Sequence, residues 1–317
     1  MKLIINIPAY NEGEVIGKTI KSIPREFDGI DEVLIQVIDD GSKDDTAKIS
    51  REAGADIVVS HTTNRRLGVV FNTAVESALK NSADFMVNID ADGQFDVNEI
   101  KNVLAPVVNN KADMVIGDRF NKGKAHDIPF VKSFFNKLGA KLVGTFLSVK
   151  TYDLTCGFRA HNRETLLRLN QVSGFTYTQE TIIDAIGKNL KLKWVPITVR
   201  YFEGRKSRIV KSVFSFVNNS AKIIIKAVRD VRPMKFFGIP GIILISFSAV
   251  FFVIFLSFYL QNLKISPYIN YLLASITLFL VGLQFFVFAL IADMIKSNRK
   301  LTEDQMYLMK KDRYNKS

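Results

Sequence analysis

Short apolar runs alternate with amphipathic stretches along the first third of the chain. Leu3–Ile7, Glu32–Ile38, Asp56–Val59, Phe85–Ile89 and Met114–Ile116 read as strands. Between them, Gly13–Ser22, Asp44–Ala53, Gly68–Lys80 and Asn98–Asn109 repeat their apolar positions at helical spacing. Short β-branched strands separated by amphipathic helices predict an α/β unit with a mostly parallel sheet covered on both faces. In such sheets ligands gather at the carboxyl ends of the strands.

The pattern changes further on. Ile128–Val149 carries an apolar stripe of Val131, Phe134, Phe135, Leu138, Leu142 and Phe146, with Lys132, Lys137 and Lys141 on the other side. Val210–Val231 repeats this with Val213, Val217, Ile224 and Val228 against Lys211, Lys222, Lys226 and Arg229. Basic amphipathic helices of this kind suit a membrane surface, although packing on the sheet would leave the same pattern. Phe236–Leu260 and Ile265–Ala292 contain no charged residue. Each exceeds the ~20 residues that cross a bilayer core of ~30 Å, so two transmembrane helices are expected, about 236–260 and 268–292. Arg229, Arg232 and Lys235 precede the first and Lys296, Arg299 and Lys300 follow the second, while the connecting loop has only Lys264. The excess of Lys and Arg at the outer ends puts the catalytic portion and both termini on the cytoplasmic side.

Composition adds limits. The 317 residues include 43 Lys+Arg against 31 Asp+Glu, a net charge of +12. That excess fits anionic lipid or a phosphorylated substrate. Nucleic acid is not expected as a partner, because no recognition helix or basic–aromatic interleaving is present. The single cysteine, Cys156, excludes an internal disulfide and a cysteine zinc site. His61, His126 and His161 lack metal-ligand spacing and read as structural or surface residues. The run before Pro8 is too short for a secretory leader and reads as the first strand.

Three polar clusters fall at the ends of predicted strands. Pro8-Ala9-Tyr10-Asn11-Glu12 follows the first, Asp39-Asp40-Gly41-Ser42 the second, and Asp90-Ala91-Asp92-Gly93-Gln94 the fourth. Two carboxylates at i and i+2 on such a turn can converge on a hard cation, Mg²⁺ or Mn²⁺, completed by water and phosphate oxygens. Helix capping explains some of these residues, but not three clusters at one edge.

Together these clusters resemble family 2 glycosyltransferases of the GT-A fold, which is Rossmann-like. The subgroup most similar is dolichyl-phosphate mannose synthase and the bacterial polyprenyl-phosphate glycosyltransferases. Asp153-Leu154-Thr155-Cys156-Gly157-Phe158-Arg159 and Gly204-Arg205-Lys206-Ser207-Arg208 support it. The resemblance covers roughly Lys2 to Val231.

The resemblance implies a hexosyltransferase that uses a nucleotide sugar such as GDP-mannose or UDP-glucose and a polyprenyl phosphate acceptor. It implies inversion at the sugar carbon. Pro8, Tyr10, Glu12, Asp40, Asp90 and Ala91 would contact the donor, with Arg205 and Arg208 on its phosphates. Asp90, Asp92 and Gln94 would hold Mg²⁺ or Mn²⁺. Arg119, Lys132 and Asn136 would meet the acceptor phosphate. Arg66 is a further candidate for the donor diphosphate. Asp92 and Asp153 are the expected catalytic residues, with Asp153 or Glu180 orienting the acceptor or acting as base. The competing reading pairs Asp153 with Arg159 as a structural ion pair.

The expected organisation is a GT-A domain over 1–209, a juxtamembrane helix over 210–235, a transmembrane hairpin over 236–295 and a cytoplasmic tail over 296–317. A homo-oligomer is compatible with it. Three other readings compete. A processive polysaccharide synthase would carry a Gln-x-x-Arg-Trp signature, whereas Trp194 lies in a strand-like run, Leu190–Val199, behind Lys193. An idle nucleotide-sugar-binding scaffold would not need Asp90, Asp92 and Gln94 together. A nucleic-acid binder rests on charge alone.

Overall fold

The computed structural model describes residues 1–120, 130–170, 177–200 and 221–315 except 223 and 227, with backbone alone for 130–136. The chain divides into two units, residues 1–227 with 305–317, and residues 228–304.

The first unit is built on a seven-stranded sheet. Its strands are β1 (Lys2–Ala9), β2 (Glu32–Asp39), β3 (Ile57–Ser60), β4 (Phe85–Asn88), β5 (Met114–Asp118), β6 (Arg159–Asn162) and β7 (Leu192–Pro196). Their order is β3-β2-β1-β4-β6-β5-β7. All pairings are parallel except those of β6, which runs antiparallel between β4 and β5. β1 lies near the middle, and Leu3, Ile4, Ile5 and Ile7 are fully buried. Covering on both faces is why consecutive residues are apolar there.

Helices α1 (Gly13–Ser22), α2 (Thr46–Glu52), α3 (Leu67–Lys80) and α4 (Ile100–Val108) connect the first five strands. They are followed by α5 (Phe130–Leu147), α6 (Arg163–Arg168) and α7 (Thr178–Gly187). α3 buries Val70, Phe71, Ala74, Val75, Ala78 and Leu79, a stripe at the three- and four-residue spacing of a core-facing helix. Asn162 ends β6 and starts α6, because its side chain accepts from Thr165 N–H (2.8 Å).

α5 departs from the expected packing. Leu138 and Leu142 of its apolar stripe are 41% and 61% exposed, beside exposed Lys137 and Lys141. Ala140, Val143 and Leu147 are buried instead. Leu138 and Leu142 thus share the lysine side, while Leu147 stays with the buried face.

The second unit contains α8 (Pro233–Asn262) and most of α9 (Ile269–Arg313). Both helices are long and apolar enough to cross a membrane. Their contact seam is small. Gly241, Ser248 and Phe255 are buried on α8, and Ser275, Gly282 and Ala289 on α9, each set at seven-residue spacing. Ser248 Oγ donates to Ser275 O (2.8 Å). A Cβ on Gly241 would stand 3.1 Å from Gly282 O, so glycine lets the two backbones approach.

The last turns of α9 belong to the first unit. Tyr307 Oη bonds Glu164 Oε2 (3.1 Å) under the Arg168 guanidinium, and Lys310 Nζ donates to Leu169 O (3.2 Å) and Asn170 Oδ1 (3.0 Å). The tail helix is therefore docked on α6.

Candidate active site at the carboxyl edge of the sheet

The loops after β1 and β2 are clipped together. Asn11 N–H donates to Ser42 Oγ (2.8 Å), and Asn11 Oδ1 accepts from Lys43 N–H (2.8 Å). Glu12 N–H donates to Thr46 Oγ1 (2.9 Å) and Gly13 N–H to Asp44 Oδ2 (3.1 Å). Asn11 takes φ 53°, which its short amide side chain tolerates. Gly41 takes φ 71°, and a Cβ there would stand 2.6 Å from the Thr63 carbonyl carbon. Only glycine fits that approach. Pro8, Tyr10 and Glu12 line this clipped edge and are partly exposed.

Asp40 is the organiser of the next loop. Its Oδ1 accepts from Arg65 N–H (2.8 Å) and meets His61 Nδ1 (2.8 Å), while Oδ2 accepts from Arg66 N–H (2.9 Å). The carboxylate is nearly buried, and a carboxylate satisfied this fully shapes its loop firmly. His61, expected as a structural or surface residue, has Nε2 on Thr73 Oγ1 (3.0 Å) and so fixes Asp40 from α3.

The turn after β4 carries the two carboxylates. Asp90 and Asp92 are partly exposed, while Ala91 between them is buried. Asp92 Oδ1 accepts from Gln94 N–H (3.0 Å), and Gly93 takes φ 70°. Thr19 Oγ1 of α1 donates to Ala91 O (2.9 Å), and Gln94 O accepts from Arg200 N–H (2.9 Å). The turn is thus pinned from both sides while its carboxylates keep access to solvent. A Cβ on Gly157 would stand 3.0 Å from Asp90 Oδ1. Among the described residues no three His, Cys, Asp or Glu side chains gather as a metal cage. Two carboxylates and an amide fit a hard divalent cation that keeps water and takes phosphate oxygens from its ligand.

The loop after β5 holds different chemistry. Arg119 Nε donates to Asp153 Oδ2 (2.6 Å) and Nη2 to Asp153 Oδ1 (2.9 Å) and Thr155 Oγ1 (2.6 Å). Asp153 is 0% exposed and Arg119 7%. Burial works to raise the Asp153 carboxyl, but the Arg119 guanidinium and the Thr155 N–H outweigh it and hold it below the usual carboxylate range. In this arrangement the Asp153 carboxylate is buried and paired with Arg119. The competing pair with Arg159 does not form. Arg159 is fully buried, donating to Cys156 O (2.8 Å) and Thr181 Oγ1 (2.7 Å).

Asp118 has no signal in the sequence beyond its place at the end of β5. It is buried, and burial with the nearby charge of Asp153 raises its carboxyl above the ordinary value. Glu180 lies in the first turn of α7. Arg205 and Arg208 lie outside the described residues, as do the side chains of Lys132 and Asn136.

A family model described as glycosyl transferase family 2 matches residues 4–169. The UDP-N-acetylglucosamine–dolichyl-phosphate N-acetylglucosaminyltransferase of Methanococcus voltae is 29% identical, over 66% of this chain and 90% of its own length. The polyprenol monophosphomannose synthase of Mycolicibacterium smegmatis is 28% identical, over 62% of this chain and 77% of that protein. Among solved structures, glucosyl-3-phosphoglycerate synthase from Mycobacterium tuberculosis, in complex with Mn²⁺, UDP and phosphoglyceric acid, superposes with a TM-score of 0.57. It is 20% identical, and the match covers 72% of this chain and 78% of that one.

Proposed function

The chain belongs to glycosyl transferase family 2 and has its GT-A fold, and from this premise we propose that it transfers a sugar from a nucleoside diphosphate to a polyprenyl phosphate. The observation that carries the reading is the turn after β4. Asp90 and Asp92 stand partly exposed on a pinned turn, at the same edge as the clipped loops after β1 and β2. The relatives named for dolichyl phosphate and polyprenol support the acceptor class, as do two helices long enough to span a bilayer.

In this reading Pro8, Tyr10, Glu12 and Ala91 line the nucleoside pocket, and Asp40 shapes its rim through the Arg65 and Arg66 amides. Arg205 and Arg208 take the donor phosphates. Asp90, Asp92 and Gln94 would hold Mg²⁺ or Mn²⁺, which neutralises charge on a departing diphosphate when bound. Arg119, held by Asp153, joins Lys132 and Asn136 at the acceptor phosphate.

The reaction is a single displacement. An acceptor phosphate oxygen forms a bond to C1 of the sugar as the bond from C1 to the diphosphate oxygen breaks, inverting that carbon. A phosphate monoester has its second pKa near ~6, so the nucleophile is already ionised at neutral pH and gives up no proton. The sealed Asp153 is consistent with a site that needs no strong base. The hairpin keeps the enzyme on the membrane that dissolves its acceptor, with the catalytic unit on the cytoplasmic side where nucleotide sugars are made.

The test is a transfer assay in native membranes with polyprenyl phosphate, Mg²⁺ or Mn²⁺ and a panel of radiolabelled nucleotide sugars. Label should enter the organic phase from one donor and should vanish with chelator and in Asp92→Ala. Nucleotide binding without lipid-linked product from any donor would overturn the acceptor assignment.

A further inference from the structure

Asn6, Gln36 and Asn88 are fully buried amides on three adjacent strands, in direct lateral register. Apolar residues would fill that position at less cost unless the amides are paired. Apart from Gln36 Oε1, which is buried without a partner among the described residues, they are paired in one direction. Gln36 Nε2 donates to Asn6 Oδ1 (2.9 Å), and Asn6 Nδ2 donates to Asn88 Oδ1 (2.6 Å). Asn88 Nδ2 donates to Tyr177 Oη (2.8 Å) and Gly157 O (3.1 Å). Tyr177 Oη in turn donates to Gly157 O (3.2 Å). A chain whose donors all point one way is polarised along its length.

The chain ends beside Asp90. The point where a Gly157 Cβ would stand is 3.0 Å from Asp90 Oδ1 and 3.4 Å from Tyr177 Oη. Asn88 and Asp90 are also two residues apart on one strand end. Tyr177 itself has little freedom, since its ring stacks on Phe71 at 4.2 Å under the Arg159 guanidinium (5.5 Å). The buried amide ladder and the locked phenol therefore meet at Gly157 O, and the same glycine lies against the Asp90 carboxylate.

We propose that Asn88, Tyr177 and Gly157 are positioning residues that set the Asp90 carboxylate for a divalent cation. The ladder fixes the height of Gly157, and Gly157 sets how far the Asp90 oxygens recede. This inference rests on the reading of Asp90 as a cation ligand. Residues one step behind a metal ligand typically change metal affinity by about 10–100-fold when altered.

The test measures Mn²⁺ binding to the full-length chain in detergent, with UDP and separately GDP present, by the electron paramagnetic resonance of free Mn²⁺. Tyr177→Phe removes one oxygen and leaves the ring stack. Gly157→Ala adds one methyl against Asp90. Each should weaken Mn²⁺ by roughly 10-fold, and transfer activity should return at high Mn²⁺, which a merely unstable variant would not show. Asp90→Asn tests the underlying reading. Loss of Mn²⁺ in Asp90→Asn with wild-type affinity in both other variants would overturn the positioning role alone. Wild-type affinity in Asp90→Asn would overturn the ligand reading and this proposal with it. Melting curves guard against misfolding, and Tyr177→Phe carries the test if Gly157→Ala does not fold.

Discussion

The two halves of the carboxyl edge solve opposite problems. Over β1, β2 and β4, loops are held by many single hydrogen bonds between backbone N–H groups and short side chains, and Asp90 and Asp92 stay half-exposed. Around β6, charged and polar groups are sealed: Arg119 with Asp153, Arg159 on backbone carbonyls, and His161 against Phe71. A group that must exchange ligands keeps some access to solvent, and Arg119, 7% exposed, stands at the border between the two halves. A group that must keep a frame rigid benefits from being desolvated and fully paired, because breaking a buried pair is costly. The first half reads as the working surface, the second as its foundation.

The sharpest way to break this comparison is Asp153→Leu. It leaves the Arg119 guanidinium buried without its neutralising carboxylate, and the expected cost is about 3–5 kcal/mol. For a unit of this size that lowers Tm by roughly 10 °C. The double variant Asp153→Leu with Arg119→Met should recover most of the loss, since no buried charge remains. Thermal melts of the single and double variants in detergent decide it. A single variant within 1 kcal/mol of wild type would mean the pair is not part of a rigid foundation.

His161 offers a pH-dependent version. Burial, with the neighbouring Arg159 charge, pushes its pKa down to about 3. The unfolded chain takes up that proton near 6.5. Between those values the unfolded state binds more protons, so stability falls as pH falls from 6.5 and is unaffected above it. At pH 5 the cost is on the order of 2 kcal/mol. His161→Phe should therefore flatten part of the acid slope of Tm between pH 6.5 and 5. An unchanged slope would remove His161 from the account.

The same division explains what could be read from sequence. The parallel strands announced themselves because Leu3–Ile7 and Phe85–Ile89 are mostly apolar on both faces; β1 contains the first run and β4 covers the second as far as Asn88. The polar clusters were visible because they follow those runs directly. β6 was not, because Arg159-Ala160-His161-Asn162 looks like a surface turn; its polar residues are buried by partners far along the chain. Asp153 shows the same limit. Its position in a motif was plain, but its solvent access was set by Arg119, 34 residues away. The tail helix docks through contacts about 140 residues apart in sequence, such as Lys310 with Asn170, which no local pattern reports.

The smallest expected effect lies on the working surface itself. Thr19 is nearly buried on α1, and its hydroxyl donates to Ala91 O in the middle of the carboxylate turn. Thr19→Val keeps the shape and removes that donor, leaving one carbonyl short of a partner. The expected cost is about 1 kcal/mol, or a Tm lower by 2–4 °C. The turn has other pins, Gln94 N–H on Asp92 and Arg200 N–H on Gln94 O, so the loss should stay local. Melts and transfer rates on the same preparation separate two outcomes. A loss near 1 kcal/mol with rate changed less than about 10-fold fits an edge built from many small, separable bonds. A loss as large as that of Asp153→Leu would mean that the turn is as tightly coupled as the buried pair, and the contrast between the two halves would fail.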